Sequence, residues 1–282
     1  MIFQELTLLN FGKFQNKKFS FEPGINLVVG KNEAGKSTLF QAIFGILFGF
    51  KNDRDRFLVS DYELAYLPAA SVLTRAPATA APAGKLLALA PARTRLPYAQ
   101  LEVRSIARNY SRDSYLLVGK QATESAFKRV AGRYQLIHLA THGYFNKWNP
   151  LLSGLELEAG GEEDGRLEVH EILGMRLNAE LVTLSACDTA LGSGYFTEVP
   201  PGDDLVGLTR AFLFAGSPSV LATLWQVSDR STLGLMHNLY EELPRSNKAA
   251  ALARAQRAMA EGKGRLAHPY FWASFILVGK MD

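Results

Sequence analysis

Leu136-Ile137-His138-Leu139-Ala140-Thr141-His142-Gly143 and Glu180-Leu181-Val182-Thr183-Leu184-Ser185-Ala186-Cys187-Asp188 are the two passages on which the reading of this chain turns. Each is a short apolar run of the kind that forms a strand covered on both faces. Each also ends in a residue with chemistry, His142 before a glycine in one and Cys187 in the other. In an open α/β sheet, reactive side chains gather just beyond the carboxyl ends of the strands. If both runs belong to one parallel sheet, the imidazole and the thiol share a rim. Cys187 follows His142 by 45 residues, a length that suits one strand–helix excursion between neighbouring strands.

The surrounding pattern supports such a sheet. Strands are expected at Glu63 to Tyr66, Leu86 to Ala90, Tyr115 to Val118, Leu136 to Ala140, Leu181 to Ser185, Val220 to Leu224 and Phe275 to Val278. Helices are expected at Tyr98 to Asn109, Glu124 to Val130 and Leu205 to Ala215, with another beginning near Arg230. Strands alternating with helices argue for an α/β domain with a largely parallel, doubly covered sheet. The Ala/Pro tract Ala76 to Gly84 reads as a surface loop, because its prolines cannot serve a central strand.

A different pattern precedes this. Ile2 to Leu9 alternates, Lys18 to Phe21 reads as a second strand, and Ile25 to Val29 as a buried third, before a helix over Lys36 to Phe48. The charged run Lys51 to Arg56 reads as a solvated joint, which divides the chain at 1–55 and 56–282.

Composition bounds the rest. The 282 residues are 48% hydrophobic and 21% charged, enough for a sizeable core. The formal charge of +4 is spread along the chain, which argues against nucleic acid as a partner. One cysteine cannot make an internal disulfide, so the cytoplasm is the expected compartment. Met1 to Asn10 lacks the basic start and apolar run of a secretory signal. Leu39 to Phe50 contains Gln41 and falls short of the ~20 residues that span a bilayer, so no membrane is expected.

The residue types fit nucleophilic catalysis. A thiol is a strong nucleophile once deprotonated, and an adjacent imidazole can take its proton and later return one to a leaving amine. Gly143 leaves room for a substrate carbonyl, and the amides of Gly143 and Cys187 could donate to a developing oxyanion. A lone cysteine at a strand end also serves as a small buried hydrophobe, and spacing alone leaves both roles open. His138 lies inside its strand and reads as a satisfied core histidine. His170, His237 and His268 carry no comparable context, and dispersed histidines with one cysteine offer no metal-ligand spacing.

The span from about Phe57 to Gly279 resembles the CHAT domain, a branch of the caspase-like (clan CD) peptidases that includes relatives of separase. The passages that carry the resemblance are, in order, Tyr66-Leu67-Pro68-Ala69-Ala70-Ser71-Val72-Leu73, Leu96-Pro97-Tyr98-Ala99 with Glu102-Val103, His142-Gly143 with Asn149 to Leu155, Ser185-Ala186-Cys187-Asp188-Thr189 with Leu191-Gly192, Gly207 to Phe212, Leu224-Trp225-Gln226-Val227, and His268-Pro269-Tyr270-Phe271-Trp272. The resemblance covers about four fifths of the chain. It implies a caspase-like sandwich with a mostly parallel sheet, His142 as base, Cys187 as nucleophile, and a protein or peptide as substrate. Family specificity resides in the pocket beside the nucleophile. Candidates to line it are Asp188, Asp203, Asp204, Trp225 and Asp229, whose carboxylates would favour arginine or lysine. Asp229 also stands where the following helix needs a cap. The loop Ser193 to Asp203 could order on binding substrate or a regulatory partner, or simply connect.

A second motif lies at the front. Gly30-Lys31-Asn32-Glu33-Ala34-Gly35-Lys36-Ser37, followed by Thr38, satisfies the phosphate-loop pattern between an expected strand and helix. The main-chain amides about Gly30, Asn32 and Gly35, with the helix N-terminus at Ser37 and Thr38, suit phosphates. Lys36 would lie near the terminal phosphates and Ser37 on magnesium, making ATP with Mg2+ the expected ligand. Residues 1 to about 50 resemble the start of the ABC/SMC-type ATPases of DNA repair. No later strand ends in paired acids and no ABC signature follows, which argues against ATP hydrolysis by this chain alone. A nucleotide-binding remnant, a docking piece and a fusion of gene fragments all remain open.

Overall fold

The computed structural model describes residues 5–11, 14–20, 57–66, 84–92, 96–110, 113–146, 148–185, 203–225 and 227–282. They fall into two compact units, Met1–Tyr62 and Glu63–Asp282. The first contains an antiparallel pair, β1 (Glu5–Phe11) and β2 (Phe14–Ser20), closed where Phe11 pairs with Phe14. Its second strand begins earlier than the expected Lys18. The expected strand at 25–29, the helix at 36–48, the joint at 51–56 and most of the Ala/Pro tract lie outside the described residues.

The second unit is built on six strands: β3 (Leu86–Pro91), β4 (Ser114–Gly119), β5 (Leu136–Leu139), then β9 (Leu181–Leu184), β10 (Ser219–Thr223) and β11 (Phe275–Gly279). Across the sheet they run β4-β3-β5-β9-β10-β11, all parallel except β11. β3, β5, β9, β10 and β11 are buried along their whole length, which is why they read as predominantly apolar runs. β4 is an edge strand and leaves Tyr115 exposed. Glu63 to Tyr66 is no strand. Only Tyr66 pairs, exchanging hydrogen bonds with Leu277 and Gly279 of β11 at 2.8 Å.

Six α-helices are described: α1 (Ala99–Ala107), α2 (Glu124–Val130), α3 (Val169–Gly174), α4 (Asp203–Phe214), α5 (Asp229–Glu242) and α6 (Lys248–Ala260). α1 packs on α5 and α5 on α6, while α3 packs on α4. The rule that parallel crossovers are right-handed assigns α2, α3 and α4 to the face opposite α1. Thr123 starts α2 by accepting from the Ala126 amide at 3.2 Å, and Asn247 starts α6 by accepting from Ala250 at 2.7 Å. Between α6 and β11 the Trp272 ring is fully buried with its indole on the Ala267 carbonyl. Gln256 of α6 donates to the Trp272 and Phe275 carbonyls, so this buried amide is not left unsatisfied.

β3 is where the chain reverses direction through the sheet, going first to β4 on one side and then past itself to β5. Ligand sites in such sheets open at the carboxyl ends beside this switch. A small antiparallel sheet caps that end: β6 (Gly143–Tyr144), β7 (Gly154–Glu156) and β8 (Arg166–Glu168). Gly154 is required there, because a Cβ would run into the Leu167 carbonyl of β8.

Candidate active site

The main chain holds His142 firmly. Leaving β5, it passes through Thr141, which is fully buried and donates its hydroxyl to the Glu156 carbonyl. The Glu156 amide in turn donates to the His142 carbonyl at 2.8 Å. That makes 142 and 156 a hydrogen-bonded pair of the antiparallel ladder, so Gly143 and Leu155 form the next, non-hydrogen-bonded pair. The Gly143 amide therefore points away from β7.

Register relates His142 to the nucleophile candidate. Leu139 pairs with Leu184, and the Ser185 amide extends the ladder to the Leu139 carbonyl at 3.0 Å. His142 stands three residues after Leu139, and Cys187 three residues after Leu184. On the other side Thr183 pairs with Leu221, and four residues further stand Cys187 and Trp225. In sequence count, Cys187 follows its last paired residue by the same number of residues as His142 does on one side, and follows Thr183 by the same number as Trp225 follows Leu221 on the other. Cys187 and Asp188 themselves lie outside the described residues, as do Gly30, Asn32, Gly35, Lys36, Ser37 and Thr38. The Ser185 hydroxyl is buried and has no hydrogen-bond partner among the described residues.

The His142 side chain is partly exposed, with Nδ1 turned inward and shielded from solvent. Its charged neighbour is Asp229. Burial and the charge of Glu102 push the Asp229 carboxyl above its ordinary range, while the His142 charge and a hydrogen bond from the Tyr98 amide pull it back. Asp229 is the first residue of α5, and the cap position is Ser228. The helix-cap reading of Asp229 is thus corrected: its carboxylate takes an amide from the start of another helix, α1. Trp225 donates its indole N–H to the Tyr270 carbonyl at 3.0 Å, forming a rim beside β10. Asp203 and Asp204 open the first turn of α4.

Two residues enter the site that sequence reasoning did not assign to it, Tyr98 and Glu102. Glu102 lies on the inward face of α1 with Ala99, Val103 and Ile106, and a carboxylate on a buried helix face was a signal available in the sequence. His138 behaves as expected, fully buried with both ring nitrogens engaged. His170 and His268 make local contacts with Glu168 and the Tyr270 amide, and His237 of α5 meets Ser105 of α1.

The other concentration of charge lies away from this rim. Glu124, Glu163 and Glu171 converge within metal-ligand reach, but the Lys128 ammonium sits among them at 2.6, 2.8 and 2.6 Å. Burial alone would lower this ammonium; hydrogen bonds with the three carboxylates outweigh it and hold Lys128 above its usual range. No described helix is long and apolar enough to cross a membrane.

The CHAT domain family matches residues 37–280, well over half of the sequence. The chain belongs to the CHAT domain family. A second match, to an AAA domain, covers residues 5–68. Tetratricopeptide repeat protein 28 of Mus musculus is 37% identical over 114 residues, which is 40% of this chain and 4% of that protein. The DNA double-strand break repair Rad50 ATPase of Archaeoglobus fulgidus is 37% identical over 71 residues, covering 23% of this chain and 8% of its own. The chain thus spans only a small part of the curated relatives it matches. Among solved structures, the Saccharomyces cerevisiae separase–securin complex superposes with a TM-score of 0.52 and 15% identity, covering 78% of this chain and 14% of that one. The CHAT unit therefore has a caspase-like, peptidase-like fold, and the opening segment is similar to P-loop ATPases of DNA repair.

Proposed function

We propose that this CHAT protein is a cysteine endopeptidase with Cys187 as nucleophile and His142 as base. The observation that carries the reading is the register Leu139↔Leu184 on neighbouring parallel strands, with His142 three residues after Leu139 in the sequence and Cys187 three residues after Leu184. In the proposed reaction His142 takes the Cys187 proton and the thiolate sulfur bonds to the scissile carbonyl carbon. The oxyanion is received by the Gly143 and Cys187 amides. Collapse breaks the C–N bond, and His142 gives its proton to the departing amine. Water, deprotonated by His142, then hydrolyses the thioester.

Asp229 is proposed to receive a basic side chain, with Trp225 as the adjoining wall and Asp188, Asp203 and Asp204 as further lining candidates. Its position beside His142 supports this, because a carboxylate in a half-buried setting gains from an arginine that replaces its lost water. The substrate is proposed to be a protein. The similarity to part of a tetratricopeptide repeat protein and to separase in its securin complex supports a further protein partner.

Peptidyl acyloxymethyl ketones ending in arginine, leucine or aspartate test both parts, since one cysteine makes mass addition unambiguous. The expected result is addition by the arginine probe, absent in Cys187→Ala and slowed in Asp229→Asn. Faster addition by the leucine or aspartate probe would overturn the basic preference. No addition by any probe would overturn the dyad.

The P-loop pattern and the AAA match favour a second, regulatory reading, in which ATP with Mg2+ binds through Lys36 and Ser37. Equilibrium binding of labelled ATP, lost in Lys36→Ala, is its minimum requirement.

A further inference from the structure

Beneath the rim a connected polar chain runs through the core. His138 and Thr183 are register partners on β5 and β9, and both are fully buried. Tyr240 of α5, also fully buried, donates its hydroxyl to Thr183 Oγ1 at 3.0 Å. Its oxygen is then left to accept from His138 Nδ1 at 3.1 Å, and His138 Nε2 shares a proton with Glu102 Oε1 of α1 at 2.7 Å. The chain Glu102–His138–Tyr240–Thr183 thus joins α1, β5, α5 and β9. One helical turn before Glu102, the Tyr98 amide ties α1 to Asp229 at the head of α5. The same two helices are therefore tied at the rim and again below it, and Ser105 of α1 adds a direct hydrogen bond to His237 of α5 at 3.1 Å.

We propose that Glu102, His138, Tyr240 and Thr183 are positioning residues for the dyad. The inference rests on the assignment of His142 and Cys187. His138 and Thr183 stand four residues before them, roughly 13 Å along the strands, too far for any part in the chemistry. Their effect is on placement. Apolar packing at these positions would often be neutral or better for stability, but it is non-directional. A hydrogen-bonded chain fixes the relative height of the two strands, and a misplacement of about 1 Å between reacting groups can cost ~100-fold in rate. Among the described residues, the other ionisable groups facing the chain are Tyr110, edge-on to Tyr240 at 6.1 Å, and Asp229 beyond Glu102.

Alkylation of Cys187 by iodoacetamide at about pH 6, below the ordinary thiol range of about 8.5, reads thiolate formation without needing a substrate. His142→Ala sets the floor. Near-isosteric Tyr240→Phe and Thr183→Val are expected to slow alkylation roughly tenfold and to displace its pH profile towards that floor. The double variant should be no slower than the singles, because both break one chain. If His142→Ala is slow while both singles match wild type in rate and pH profile, whatever their melting temperatures, the positioning role is overturned and the dyad stands. If His142→Ala itself alkylates like wild type, the dyad falls and this inference with it. Should Tyr240→Phe fail to fold, Thr183→Val at the far end of the chain carries the test.

Discussion

Single residues of the core make distinct predictions. The Tyr110 hydroxyl is buried without a hydrogen-bond partner among the described residues, and burial pushes its ionisation upward. Tyr110→Phe keeps the ring contact with Tyr240 and removes the unsatisfied group. It should stabilise the protein by about 1 kcal/mol, or a rise of ~2–4 °C in thermal unfolding. Asp229 behaves differently. Because burial first, and then Glu102, raise its carboxyl in the folded state, folding favours the protonated form. Its contribution to stability is whole below the unfolded carboxylate range and is lost as pH rises through the raised folded value. Asp229→Asn should therefore melt higher than wild type at neutral pH and no higher below about pH 3, where both are uncharged. Scanning calorimetry at the two pH values checks the sign. The dyad candidates were legible because each ends an apolar run. The approach of Tyr98 and Glu102 to Asp229 was not, since it depends on how α1 packs against α5.

Elements were legible in proportion to their burial and length. β3, β5, β9, β10 and β11 are predominantly apolar, buried along their whole length, and stand where expected. β6, β7 and β8 span two or three residues each, too few to show a period of two. They form because the carbonyl of His142 and the hydroxyl of Thr141 are claimed by Glu156, not because of local propensity. Glu63 to Tyr66 has strand-like residues, yet only Tyr66 finds an open edge on β11. α2 is anchored by charge: its Lys128 gathers Glu124, Glu163 and Glu171. Glu124 is the most deeply buried of the three, and burial pushes its carboxyl up, whereas the hydrogen bonds of Lys128 outweigh burial in Glu171 and bring it down. Lys128→Met would leave three carboxylates facing one another. The expected loss is about 2–3 kcal/mol, below the ~3–5 of a wholly buried pair because Lys128 and Glu163 keep some solvent. Urea unfolding should show the deficit shrinking in acid, where the carboxylates are protonated.

At the scale of the molecule, the Glu63–Asp282 unit holds the complete six-stranded sheet. A chain of residues 57–282 should unfold cooperatively within a few degrees of the full protein. One starting at residue 68 loses Tyr66, bares the edge of β11, and should melt lower and associate on size-exclusion chromatography. The central claim is that this unit is a peptidase through Cys187 and His142. It is tested most directly by incubating the full chain, Cys187→Ala and His142→Ala with a proteome-derived peptide library and reading new termini by mass spectrometry. The account predicts termini produced by wild type alone, preceded by arginine or lysine. The same termini appearing with Cys187→Ala would contradict it.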